Sequence, residues 1–275
     1  VAAVSAARNG CRTALIEKMS YLGGTPTAGL VDPISGGYHK GKRVLGGVGW
    51  EFVERLVAAG AGQVELPKGH VSFDPEYYKL LAQRMVLEAG VELYTNTVVS
   101  ACQMADGRVT HVLIESKDGL QALAAGTVID ATGDGFAAMR AGAQYHIGRE
   151  QDGRCQPVTI EFLVDHLDES RALSCFGGSD PVTLPDGKKY SQLCRECCER
   201  GELPQSVSIV RLHKTFYPGE RNVNATQANG LDILTPKDEV TAELTLRAQI
   251  DKIIAFLRKY VPGYENCRVK SSAAT

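Results

Sequence analysis

The stretch ALIEKMSYLGGTPTAG, residues 14–29, joins an apolar run of strand length to an acid, Glu17, and then to a loop with two adjacent glycines. Ahead of it, VAAVSAARNG (1–10) reads as the rear of an alanine-rich helix closed by Gly10 as its C-cap. Helix, glycine and strand in that order form the second half of a βαβ unit. In a dinucleotide-binding unit, an acid at the tip of the second strand accepts hydrogen bonds from the adenosine ribose hydroxyls, about 20 residues after a glycine-rich phosphate loop. Glu17 occupies that place, and counting back puts the phosphate loop before residue 1. The plainer alternative is a strand that merely ends in a solvated acid.

The bulk numbers fit a globular chain. At 275 residues and 44% hydrophobic content there is enough apolar material for a buried core, in one large domain or two ordinary ones. A net charge of −2 gives no field of one sign, so nothing electrostatic points to nucleic acid or to an anionic membrane. No stretch reaches the roughly 18 uninterrupted apolar residues of a membrane span, and no secretory signal stands at the N-terminus, so the expected location is cytoplasmic. The eight cysteines, at 11, 102, 155, 175, 194, 197, 198 and 267, are irregularly spaced and are expected to be free thiols, mostly buried.

Further along, GWEFVERLVAAGAG (49–62) and DPEYYKLLAQRMVLEAG (74–90) read as helices, the second with Asp74 as N-cap, Pro75 in its first turn and Gly90 as C-cap. Residues 91–119 give strands with DG turns at 106–107 and 118–119, a hairpin-type meander. A second apolar strand is expected to enter a glycine turn in VIDATGDG (128–135), where a lack of side-chain bulk lets backbone approach a large ligand. Beyond about residue 150 the texture changes. PVTIEFLVDHLD (157–168) and SVSIVRLHKTFY (206–217) read as strands, and a long helix begins near Thr235 or Asp238 and is ended by Pro262.

Taken in order, ARNG with ALIEK, LGGTPTAGLV (22–31), FDPEYYKLLAQRMVLEAGVELYTNTVV (73–99), VIDATGDG, GREQDGRCQP (148–157), NVNATQANGLD (222–232) and FLRKYVPGYE (256–265) resemble segments of the FAD-dependent oxidoreductase family that is related to the fumarate reductase flavoprotein and has a glutathione-reductase-like FAD fold. The resemblance runs over nearly the whole chain. It implies an α/β protein whose FAD/NAD(P)-binding, Rossmann-like domain, residues 1–150, lacks its first strand and glycine loop. Residues 151–275 would then be an inserted mixed α+β cap facing the substrate, with the C-terminal FAD segment absent, so the chain is expected to be truncated at both ends.

Position by position, the same resemblance implies that Glu17 holds the adenosine ribose and Lys18 lines the adenine side. Gly23 and Gly24 would pass near the pyrophosphate and flavin, with Thr25, Thr27 and Gly29 close to the ring system. Val99 would meet adenine through its backbone. Ala131, Thr132, Gly133 and Asp134 would approach the ribityl chain and pyrophosphate; alternatively Asp134, in a GDG turn, bonds only its own backbone. The implied reaction is hydride transfer between a small organic substrate and flavin N5, followed by reoxidation by an unidentified electron acceptor. An NAD-dependent dehydrogenase, or a non-catalytic fragment that no longer holds cofactor tightly, are the alternatives.

For the substrate side, Arg211 and His213 lie two apart and share a strand face, where together they would bind a carboxylate; the bland reading is an exposed strand face. Arg221 and Asn224 are weaker candidates of the same kind, and Tyr217 is a candidate proton donor. CRECC (194–198) sets thiols at i, i+3 and i+4, but without a second matching pair no metal is assigned. His39, Lys40, Lys42 and Arg43 form a basic loop that either is solvated, the plainer reading, or closes over an anionic substrate.

Overall fold

The computed structural model describes residues 1–66, 69–231 and 233–275; Asp232, the last residue of the NVNATQANGLD segment, lies outside the described residues. Its elements run α1 (Ala2–Arg8), β1 (Ala14–Ile16), β2 (Tyr38–His39), β3 (Lys42–Arg43), α2 (Gly47–Ala58), β4 (Gly62–Glu65), β5 (His70–Phe73), α3 (Pro75–Glu88), β6 (Glu92–Tyr94), β7 (Val98–Ala105), β8 (Arg108–Ser116) and β9 (Gly119–Ala124). They continue with α4 (Phe136–Arg140), β10 (Phe162–Asp165), α5 (Tyr190–Glu199), β11 (Arg211–Lys214), β12 (Arg221–Asn224), α6 (Pro236–Tyr260) and β13 (Arg268–Ser272). The chain divides into two compact units, one of residues 1–22, 47–52 and 79–147, the other of 23–46, 53–78 and 148–275.

In the first unit β1 and β6 pair in parallel, Ala14 opposite Glu92 and Ile16 opposite Tyr94. Val4 of α1, Leu22, Val86 of α3 and Val91 form its small core, with Leu15 and Leu93 packed against them. A parallel pair needs a long crossover, and apolar side chains on both flanking helices close over it. Gly10, at φ +84°, takes the chain from α1 into β1, a left-handed conformation in which any Cβ would be strained. The strands β7, β8 and β9 form an antiparallel meander. Asp106 and Gly107 both have positive φ, +50° and +71°, the signature of the two-residue turn whose twist matches a hairpin.

The expected strand in VIDATGDG does not form: residues 127–131 take no regular structure and Ile129 is exposed. A strand exists only where neighbouring backbone takes up its N–H and C=O groups, and no described segment pairs with this one.

The second unit is built on a four-stranded antiparallel sheet in the order β11-β12-β10-β13. One face carries Phe162, Val164, Leu212 and Val223, all fully buried in a core with α5 and α6. On α6 the buried positions Ala242, Leu246, Gln249, Ile250, Ile253 and Leu257 recur at helical spacing. Its start is set by Thr235, whose Oγ1 accepts from Asp238 N at 3.2 Å, and by Pro236 in the first turn. The opposite sheet face is polar. Cross-strand partners share a face, so Arg211 lies beside Asn224, and His213 beside Asn222.

All eight cysteines are free; Cys175, Cys194, Cys197 and Cys267 are buried, while Cys11 and Cys155 are exposed. Among the described residues no helix is long and apolar enough to cross a membrane.

Candidate active site

Of the residues singled out from the sequence, Glu17, Lys18, Val99 and Ala131 to Asp134 fall in the first unit; Gly23, Gly24, Thr25, Thr27, Gly29, Arg211, His213 and Arg221 fall in the second.

In the first unit Glu17 closes β1. Its backbone is clamped on both sides, N–H to Tyr94 O at 2.8 Å and C=O from Thr97 N at 3.0 Å, which fixes the carboxylate at the strand tip. Oε1 accepts from Met19 N at 2.8 Å, while Oε2 has no hydrogen-bond partner among the described residues. Lys18 beside it is exposed. At Val99 the β7–β8 ladder is irregular: the register shifts between Val99 and Ala101, and a bulge of this kind leaves backbone groups outside the ladder.

The glycine turn at 130–135 is organised by an acid that the sequence reading passed over. Asp130 accepts from Thr132 N (2.9 Å), Thr132 Oγ1 (2.7 Å) and Ala138 N (2.8 Å). Burial alone would raise its pKa, but these donors outweigh burial and hold it below the usual carboxylate range. An Asp two residues before a Thr in a glycine turn is the local signal that could have found it. Asp134 itself is exposed, and its side chain has no hydrogen-bond or ion-pair partner among the described residues. Gly133 and Gly135 have φ of +91° and +68°, and a Cβ added at Gly133 meets no atom within 4 Å, so the turn presents bare backbone to open space.

In the second unit residues 23–31 wrap around one carbonyl: Gly24 O accepts from Thr27 N (3.0 Å), Ala28 N (2.7 Å) and Gly29 N (3.2 Å), and Val31 N returns to Thr25 O. The winding requires its glycines. A Cβ on Gly23 would run into the Thr27 side chain, and one on Gly29 would sit 2.8 Å from Thr25 O. The segment that follows lies on the polar face of the sheet, with Ala28 O accepting from Ala274 N (2.7 Å) and Leu30 O from Asn222 Nδ2 (2.6 Å). His213 Nδ1 is 3.4 Å from the carbonyl of Asp32. The structure thus brings the 23–32 loop and the Arg211–His213 strand together.

On that face the guanidinium of Arg211 is half-buried and has no hydrogen-bond or ion-pair partner among the described residues. It opens, with Asn224, Thr159 and Gln227, onto a cleft of about 250 Å³. His213 is stacked on Phe176, and burial lowers its pKa, with Arg211 adding to the effect. Arg221 is differently placed: it is 1% exposed, and its guanidinium is taken up by Glu169 in a two-pronged ion pair at 2.8 and 3.0 Å and by Glu220 O. Tyr217 donates to Asp74 Oδ2 at 2.7 Å, which pushes its pKa up to about 12.

A model of the FAD dependent oxidoreductase family matches residues 1–275. The chain belongs to that family. The description of the family names FAD as the cofactor and oxidoreduction as the reaction class of its members. A search of curated sequences found no match. Among solved structures, a geranylgeranyl bacteriochlorophyll reductase-like protein from Thermoplasma acidophilum is similar at 13% identity, with a TM-score of 0.55 over 99% of this chain and 61% of that one. A triple mutant of a flavin-dependent brominase is similar at 14% identity, with a TM-score of 0.50 over 98% of this chain and 63% of its own. At such identities the likeness is one of fold. The chain spans under two thirds of the length of either protein.

The residues present fit FAD. A strand-tip carboxylate with one uncommitted oxygen suits a ribose hydroxyl, and the bare turn at Gly133 has the open backbone that a phosphate or ribityl chain requires.

Proposed function

We propose that this family member transfers a hydride between a small organic substrate bearing a carboxylate and FAD, with an unidentified acceptor reoxidising the flavin. The flavin, when bound, supplies the redox chemistry at N5; the chain supplies binding, orientation and field. Glu17 and Lys18 hold the adenosine end, Val99 offers backbone to adenine, and Ala131, Thr132, Gly133 and Asp134 border the phosphate and ribityl region. Gly23, Gly24, Thr25, Thr27 and Gly29 form the loop toward the ring.

On the substrate side, Arg211 binds the carboxylate as a two-pronged donor, and Asn224 beside it offers its side chain to the same ligand. His213, kept neutral by burial, is a hydrogen-bond partner on the same face rather than a second cation. Arg221 belongs to the same strand pair but lies opposite Val164 on the other, core face, where its guanidinium is committed to Glu169.

One observation supports this reading most: a guanidinium without a hydrogen-bond or ion-pair partner among the described residues, beside a small cleft on the sheet face crossed by the glycine loop. The experiment is anaerobic reduction of the FAD-loaded protein by a panel of small carboxylic acids and their esters. Acids that bleach the flavin where their esters do not, with the difference lost in Arg211→Ala, are the expected result. Equal reduction by acid and ester would overturn the carboxylate assignment.

A further inference from the structure

Beneath the glycine loop lies a group of buried acids that the proposed function does not use. Asp32 is 6% exposed, and its Oδ1 has no hydrogen-bond partner. The charged groups felt by Asp32 are acids from three neighbouring elements: Glu65 of β4, Glu161 just before β10 and Glu220 just before β12. Glu220 is neutralised by Lys270 of β13 at 2.5 Å, so that lysine is already committed. Glu161 is 5% exposed; Asn224 Nδ2 donates to its Oε1 at 2.7 Å, and its Oε2 is orphaned. The cation near Glu161 is Arg211, which also acts on His213. Asn222, wholly buried between them, donates to Leu30 O and leaves its own Oδ1 without a donor.

Three acceptor oxygens, on Asp32, Glu161 and Asn222, are therefore buried in one polar layer without a donor among the described residues. A buried carboxylate anion with an unbonded oxygen is less stable than the neutral acid, whose O–H supplies the missing donor, and most so at Asp32, where the neighbouring charges are all acids. We propose that Asp32 and Glu161 form a buried acid pair that retains at least one proton at neutral pH, making the underside of the glycine loop the proton store of this site. Burial pushes Asp32 up to about 8, with Glu220, Glu65 and Glu161 adding to it. Glu161 is raised by burial to about 7, against the lowering effects of Asn222 and Arg211. Two acids that feel each other's charge can hold one proton between them, one member releasing it while the other accepts one. His213, whose Nδ1 lies 3.4 Å from the backbone carbonyl of Asp32, is the side chain of the substrate face that stands beside the store. That service to the substrate rests on the proposed function; the proton itself does not.

The test is infrared spectroscopy of the whole chain, with and without FAD, following the carboxylic C=O stretch and its shift in D2O across a pH titration. A protonated-carboxyl band that persists at neutral pH, shrinks in both Asp32→Asn and Glu161→Gln and vanishes in the double variant is the expected result. A wild-type protein whose carboxyl bands are all lost below about pH 5, the ordinary carboxylate range, would overturn the proposal; so would a neutral-pH band unchanged in both single variants. Should one variant not fold, the wild-type titration and the other variant still decide. A protein that fails to bind or use FAD but keeps the band loses the proposed function and retains the store.

Discussion

His213 lies flat against Phe176, ring centroids 4.8 Å apart and planes 18° from parallel, while His70 makes a T-shaped contact with the same Phe176 ring at 5.8 Å. The stack shields the imidazole from water and sets its plane relative to Arg211, two residues earlier on β11. Removing the shield should therefore change the protonation of His213. Phe176→Ala is expected to raise its pKa back toward the ordinary value of about 6.5, measured by NMR titration of the ring protons.

The buried acids fix the sign of the pH dependence. Asp32 rises from 3.8 to about 8 and Glu161 from 4.5 to about 7 on folding, so the folded state holds protons that the unfolded chain releases. Their contribution to stability is complete at acid pH below the unfolded values and is lost as pH climbs to about 8. Asp32→Asn should flatten that decline, by on the order of a few kcal/mol between acid and alkaline conditions, in denaturant titrations across pH. An unchanged slope would contradict the burial. The lowered pKa of His213 works in the other direction, its contribution falling away as pH drops through the unfolded value.

The pair of Arg221 and Glu169 is asymmetric: the arginine side chain is 2% exposed and the glutamate 41%. Glu169→Ala strands a buried cation and should cost about 3–5 kcal/mol in chemical denaturation. Arg221→Met leaves a carboxylate that water can reach and should cost less. The reverse order would mean that the packing of the arginine stem, not its charge, dominates.

Arg211→Ala removes a guanidinium with no hydrogen-bond or ion-pair partner among the described residues, so a stability change within about 0.5 kcal/mol is expected. Binding of small carboxylates, read by the thermal shift they produce, should nevertheless weaken by tenfold or more, about 1.4 kcal/mol.

Glu17→Gln keeps the strand-tip geometry and removes the charge. FAD affinity, followed by quenching of flavin fluorescence, is expected to fall by about tenfold with circular dichroism unchanged. Equal affinity would show that the free oxygen of Glu17 does not meet the ribose.

The sequence by itself determined the features whose causes are local. The turn of Asp106 and Gly107 needs positive φ at adjacent residues, the start of α6 needs the Thr235 hydroxyl and Pro236, and α3 ends at Gly90 with φ +74°; each requirement is met within a few residues. The family motifs likewise sit in short contiguous runs. Strand formation in VIDATGDG was not determined locally, because a strand also needs a partner's hydrogen-bonding groups, and β1 shrank to three residues for the same reason. Only the tertiary structure decided that the 23–32 loop crosses the polar face of the sheet made by β10 to β13, residues more than 120 positions away. Asp32, Glu161 and Asn222 carry no periodic signal of burial, since polar residues become buried only where distant backbone and side chains close over them. It is that closure, excluding water and withholding donors, that converts ordinary acids into groups able to hold a proton.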